Sequence, residues 1–197
     1  LRRSPPARRS GRGATGGRLS ERGQATRCSS PRSSGCSLRQ RATAKGQRVW
    51  KRQPGDAVIT TQVSWSASDG DAHKKGGPML RAGLDADDAH ASVMVHADGL
   101  ISLQYRKEKG GETAEVKSAV KAPARVRLAR HGDVISMEVA RPDGPWQTAG
   151  ALTVPLPETV YAGLAASSHD ANDRQTAVFT NVEYEGIGVV DAKSRVV

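Results

Sequence analysis

Every valine, isoleucine, methionine and aromatic residue of this chain lies beyond residue 46. Before that point the large apolar side chains are Leu1, Leu19 and Leu38 alone. A segment so poor in apolar groups cannot bury enough surface to offset the entropy of ordering it. Residues 1–46 are therefore expected to be a disordered tail, and any core must come from residue 47 onward. Charge divides at the same place. The whole chain carries +10, but residues 1–46 hold eleven Arg and one Lys against the single acid Glu21. The body from residue 47 onward is thus close to neutral, and the basic signal belongs to the tail.

A basic tail can contact phosphates, each Arg adding affinity and salt dependence. The segment "LRRSPPARRSGRGATGGRLSERGQATRCSSPRSSGCSLRQR" has no aromatic residue interleaved to stack on bases, so nucleic-acid binding is expected to be weak if it occurs at all. Cys28 and Cys36 both lie in this tail without a nearby His, which leaves them short of a zinc-ligand set. No stretch is long and apolar enough to span a bilayer. No apolar signal-peptide core is visible near the first residue.

The body alternates. In "DAVITTQVSWS", Ile59, Thr61, Val63 and Trp65 share one face, while Val58, Thr60, Gln62 and Ser64 share the other. "GLISLQYR" sets Ile101, Leu103 and Tyr105 against Ser102, Gln104 and Arg106. "DVISMEVA" turns Ile135, Met137 and Val139 inward, and "ARVRLAR" buries Val126 and Leu128 while exposing Arg125, Arg127 and Ala129. Turn residues punctuate these runs at "HADG", "RHGD" and "RPDGPW". "VPLPE", with two prolines, reads as a connection or an edge. "DADDAHASV" has room for one helical turn, and no segment reaches a full helix. The pattern predicts an all-β fold: an antiparallel β-sandwich of roughly ten strands over residues 47–188, with a C-terminal tail at 189–197.

Several segments in order resemble one family. They are "VWKRQPGDAVITTQVSW", "HKKGGPMLRAGLDADDAHASVMVHADGLISLQYRKEKGG", "VKAPARVRLARHGD", "MEVARPDGPW" and "VYAGLAASSHDANDRQTAVFTNVEYE". Together they resemble the concanavalin A-like lectin/glucanase superfamily, and within it the domain attached to bacterial TolB-like β-propeller proteins. The resemblance implies a jelly-roll of two curved antiparallel sheets, a periplasmic or extracellular setting, and an upstream propeller in the same chain. Family members carry a further strand or two before the "VWK" segment, so the resemblance also implies an unpaired edge beside the C-terminal strand.

Glucanases of this fold use acids alternating on one strand of the concave face. This chain has no such run. Glu183 and Glu185 alternate, but on the final strand and without a third acid. No catalytic residue, metal ligand or cofactor is therefore assigned. "LDADDAH" groups Asp85, Asp87, Asp88 and His90 without the spacing of an EF-hand loop, and reads as a polar turn capped by its own carboxylates. "SSHDAND" places His169 on a loop leaving an apolar strand, where binding groups often sit. Arg81 shares a strand face with Met79. Its fork suits either a ligand or one of the Asp residues at 85–88.

These residues point to a noncatalytic binding or accessory module for carbohydrate or a cell-surface polymer. The expected ligand-binding residues are Arg81, Gln104, Arg106, Trp146 and His169. Two alternatives stand beside it: a glycoside hydrolase relative, and a structural module packed on a propeller.

Overall fold

The computed structural model describes residues 46–186 and the backbone of two further strands, at 38–42 and 195–196. Thirteen strands are found among the described residues: β1 Leu38–Ala42, β2 Gln47–Pro54, β3 Ala57–Trp65, β4 Lys75–Arg81, β5 His90–His96, β6 Ile101–Arg106, β7 Ala114–Lys117, β8 Arg125–His131, β9 Val134–Ala140, β10 Gln147–Thr153, β11 Thr159–Ser167, β12 Gln175–Gly186 and β13 Arg195–Val196. They form two antiparallel sheets, one of order β1-β12-β3-β8-β9-β10 and one of order β13-β2-β11-β4-β5-β6-β7. The sheets face each other as a sandwich.

The alternation read from the sequence generates the core. Ile59, Val63, Val126, Leu128, Ile135, Met137, Val139 and Phe179 project inward from the six-stranded sheet, and Leu80, Val93, Ile101, Leu103, Val160 and Ala162 meet them from the seven-stranded sheet. Each fully buried large side chain stabilises the fold by about 1.5–3 kcal/mol. The turns are those the sequence marks: Gly99 and Gly132 adopt φ values of 87° and 61° in the β5–β6 and β8–β9 hairpins. At Gly163 the backbone approaches so closely that a Cβ would lie 1.9 Å from the Val49 carbonyl oxygen, which locks a side-chain-free position between β2 and β11.

Three details differ from the sequence expectations. Ala129 is buried rather than exposed, because it lies between Val58 of β3 and Ser136 of β9 on the central strand of its sheet. "DADDAHASV" forms no helical turn. Asp88 accepts a hydrogen bond from the Asp85 N–H at 2.7 Å, fixing a turn, and β5 begins at His90. The edge beside the C-terminal strand is not left open, since β1 pairs with β12 from Leu38↔Phe179 to Ala42↔Gln175. A sheet edge presents unpaired N–H and C=O groups, and a short strand that satisfies them is stabilised by backbone pairing even where its sequence is poor in apolar residues. β1 falls inside the segment assigned to the tail, and β13 pairs with β2 inside the expected C-terminal tail. Cys28, Cys36 and the remainder of the Arg-rich segment up to residue 37 lie outside the described residues.

Candidate functional site

Strand register places the polar residues of the seven-stranded sheet in rows across its outer face. One row runs Arg52, Tyr161, Arg81, His90, Arg106, and the next Trp50, Gly163, Met79, Ser92, Gln104, Glu115. A third carries Arg48, Ala165, Gly77 and, one strand pair further on, Ser102 opposite Lys117. Lys75 and His96 pair at the far end. Every second residue of a strand points away from the core, so Leu80 and Leu103 are buried because Arg81, Gln104 and Arg106 face outward.

This outer face is not an ordinary solvated surface. His90, Ser92, Met94 and His96 project from it, yet all four are buried, so β5 is covered on both sides. The long side chains of β4 and β6 close over it. Lys75 Nζ donates to Gln104 Oε1 at 3.1 Å, and Gln104 Nε2 lies 3.5 Å from His96 Nε2. Arg106 donates to the Ala86 carbonyl at 2.9 Å and to Thr113 Oγ1 at 3.1 Å. Its Nε and the Nδ1 of His96 are buried without a hydrogen-bond partner. Such groups are expensive to leave unpaired.

Arg81 is neither an ion-pair partner of the Asp cluster nor a ligand fork held open. It is buried, donates Nε to the Gly83 carbonyl at 3.1 Å and Nη2 to the Asp85 carbonyl, and so pins the turn after β4. Burial, with the charges of Arg48 and then Arg106 opposing, lowers its pKa to about 10 despite the nearby Asp88. His90 opposite is pushed down to about 4 by burial and by the Arg81 charge, and His96 is held low by burial and Lys75. Near neutral pH the face therefore combines cationic Arg and Lys groups with neutral imidazoles.

The carboxylates of Asp85, Asp87 and Asp88 lie within 4.8 Å of one another. Lys109 Nζ stands among them, at 2.6 Å, 3.8 Å and 3.5 Å respectively. The ammonium offsets one of the three negative charges and is closest to Asp85.

Of the residues expected to bind ligand, Arg81, Gln104 and Arg106 share this face. His169 lies at the end marked by His96. Its ring sits 5.5 Å from that of His73, which is in turn 6.4 Å from His96, and its Nδ1 lies 3.5 Å from Asp71 Oδ2. His169 holds φ at 64°, an uncommon conformation for a residue with a Cβ. Trp146 does not join them. It stacks beneath Arg127 at 4.1 Å and Arg125 at 4.9 Å, on the outer side of the opposite sheet. Trp65 packs against the core.

Sequence reasoning passed over Arg48, Trp50, Lys75, His96 and Tyr161, and read His90 only as part of the polar turn after β4. The signal was present: "HASVMVH" alternates His, Ser, Met, His against Ala, Val, Val, and "RVWKR" places Arg48, Trp50 and Arg52 opposite Val49 and Lys51. Glu115 is the one carboxylate at these strand positions among the described residues.

No protein-family model matches the sequence, and neither does any curated protein. Solved structures do match in fold. A functionally unknown protein from Saccharomyces cerevisiae aligns with a TM-score of 0.57 at 14% identity, covering 84% of this chain and 98% of that one. A xylan β-1,4-xylosidase from Bacillus halodurans aligns at 0.58 and 16% identity, over 76% of this chain but 32% of the enzyme, so the chain spans about a third of that protein. A family-7 alginate lyase aligns at 0.51 and 9% identity, over 78% and 81%. Two antiparallel sheets packed as a sandwich, with a fold match to proteins of that kind, make the fold a concanavalin A-like jelly-roll.

Proposed function

We propose that the chain is a noncatalytic carbohydrate-binding module whose ligand lies across the outer face of the seven-stranded sheet. The observation that carries this is the composition of that face. Arg81, Gln104, Arg106 and Lys75 stand together over a strand that is buried on both sides. Fixed donors and acceptors of this kind match sugar hydroxyls, and Trp50 and Tyr161 beside them offer apolar surface for a ring. Two of the matching structures are named for action on polysaccharides, xylan and alginate.

The acids support a noncatalytic role. Hydrolysis by the usual route needs two carboxylates flanking the scissile bond, and Glu115 stands alone on the described face, paired to Lys117 at 3.2 Å. A periplasmic or extracellular setting, in a longer chain with a TolB-like propeller, is part of the proposal and draws on the sequence resemblance. No helix among the described residues is long and apolar enough to cross a membrane.

The test is a glycan array and calorimetry with the full chain. Binding to an oligosaccharide, weakened by Gln104→Ala in a variant with an unchanged far-UV spectrum, is the expected result. Absence of binding to every glycan would overturn it and favour a structural module. Release of reducing sugar by the chain would favour the enzyme reading instead.

A further inference from the structure

At one end of the proposed sugar-binding face, β2, β11 and β4 frame a shallow depression holding about 210 Å³ of empty space and open to solvent. Its walls include Arg48, Trp50, Met79, Arg81, Leu84 and Tyr161. We infer that this depression takes a sugar ring bearing a carboxylate, a uronic acid unit of an anionic polysaccharide; the inference rests on the carbohydrate reading above.

The depression is a shallow, open surface rather than an enclosing cavity, so its occupant is one ring of a chain that continues across the sheet. The row Met79, Ser92, Gln104 leads away from it and brings the half-buried Gln104 amide to further rings. Among the walls, Trp50 and Tyr161 meet edge to face, with centroids 4.7 Å apart and planes at 87°. They give a rigid apolar corner of the kind that packs on the C–H face of a sugar. Leu84, on the other side, is one of two large apolar side chains left exposed among the described residues. A covering ring would remove it from water.

Charge sets the class. Arg48 and Arg81 both line the depression, and none of its lining residues is acidic among the described residues. The two cations oppose each other, as the lowered Arg81 pKa records after its larger burial effect. Arg81 has committed Nε and Nη2 to backbone carbonyls and contributes fixed charge. Arg48 makes no hydrogen bond or ion pair among the described residues, and its planar fork matches a carboxylate in a two-point contact. An anion placed there relieves the repulsion and pairs the unpartnered guanidinium. A neutral sugar does neither.

Titration calorimetry on the full chain tests this with three probes: oligogalacturonate and oligomannuronate, the same oligosaccharides with their carboxylates reduced to alcohols, and neutral xylo-oligosaccharides. At least one oligouronate is expected to bind about tenfold or more tighter than its reduced form, with affinity falling as salt rises. Arg48→Gln should remove most of that difference, while Arg48→Lys restores part of it. Equal affinity for oligouronate and reduced form, or tighter binding of the xylo-oligosaccharide, overturns the inference and leaves the carbohydrate reading intact. An Arg48→Gln variant that keeps the full preference moves the anionic contact elsewhere and also overturns it. Absence of binding to all three probes overturns this inference, while the carbohydrate reading is decided separately by the glycan array.

Discussion

Arg81 and His90 stand directly opposite each other across the β4–β5 pair, both buried on the outer face of the seven-stranded sheet. The guanidinium, Arg106 across β6 and Lys75 further along β4 surround the imidazole with positive charge, and burial adds the larger effect, bringing its pKa to about 4. The Asp88 carbonyl, 3.4 Å from Nδ1, opposes this only in part.

A histidine whose folded pKa is depressed binds its proton more readily in the unfolded chain, so acid favours unfolding. Stability is full above the unfolded value of about 6.5, falls between there and about pH 4, and levels off below. The loss from this one group is about 3 kcal/mol at most. Asp56 and Asp71, held below their ordinary range by the Gly132 and His73 N–H groups, add losses at lower pH with the same sense. The difference between wild type and His90→Gln isolates the histidine. Urea denaturation at a series of pH values should show a shallower decline between about pH 6.5 and 4 in the variant. Parallel profiles would show that His90 is not held neutral.

Arg130 is expected to be the most damaging surface-type residue to remove. It is inward-facing at the end of β8, buried, and donates to the carbonyls of Gly132 at 2.8 Å, Pro157 at 2.9 Å and Leu156 at 3.0 Å. One side chain thus ties the β8–β9 turn to the proline-containing connection before β11. Hydrogen bonds to a charged group contribute about 1.5–3 kcal/mol each, and carbonyls left unpaired cost more. Arg130→Met should lower stability by about 3 kcal/mol or more, measured by thermal or chemical denaturation, and Arg130→Lys should recover only a fraction because it cannot span three acceptors. A loss below about 1 kcal/mol would show that water replaces the fork.

The period-two runs made the sandwich legible in the sequence, because inward and outward residues must separate on a strand. Ile59, Leu103, Val126 and Met137 fell where the alternation put them. Alternation set Arg81 and Gln104 opposite Leu80 and Leu103, and the jelly-roll resemblance brought them with Arg106 onto one face. What alternation could not give is which strands are neighbours. Trp146 reads as an exposed aromatic whichever sheet it lies near, and only the pairing of β8 with β3 and β9 shows it to be on the opposite sheet. Likewise Arg48 and Arg81 are 33 positions apart in sequence, and β11 has to lie between their strands before they share a depression. β1 was hidden for another reason. Its pairing uses backbone groups, which carry no compositional signature.

Trp146 should matter to stability and not to ligand. Its ring lies under Arg127, which also pairs with Glu138 at 2.9 Å and donates to Thr60 Oγ1 at 3.1 Å. Partly exposed cation–π contacts contribute about 0.5–1 kcal/mol. Trp146→Ala should therefore cost about 1 kcal/mol in denaturation and leave the affinity for any bound glycan within about twofold. A glycan affinity lowered by Trp146→Ala at unchanged fold would move the binding surface to the six-stranded sheet.

Lys74 supports the loop that leads to the His169 end of the candidate face. It is among the most deeply buried large side chains, 1% exposed. A buried ammonium is costly unless every donor is used, and here the donors are used. Nζ donates to the Ala67 carbonyl at 3.0 Å, to Gln175 Oε1 at 2.9 Å and to the Asp69 carbonyl, with the Trp65 ring 5.3 Å away. Three oxygens from the β3–β4 loop and the first residue of β12 thus converge on one cation, holding residues 66–73 against the sheet. Asp71, which accepts the His73 N–H at 2.7 Å and faces His169, lies within that loop. Lys74→Met keeps the stem and removes the charge. It should cost about 1.5–3 kcal/mol, since it removes three hydrogen bonds to a charged group and leaves the buried Gln175 oxygen without that donor. Amide exchange in residues 67–73 should accelerate more than in the core strands, because the loop loses its common anchor while β5 and β6 keep theirs. A variant as stable as wild type, with unchanged exchange in the loop, would show that the acceptors find water and that the ammonium does not organise this end of the sheet.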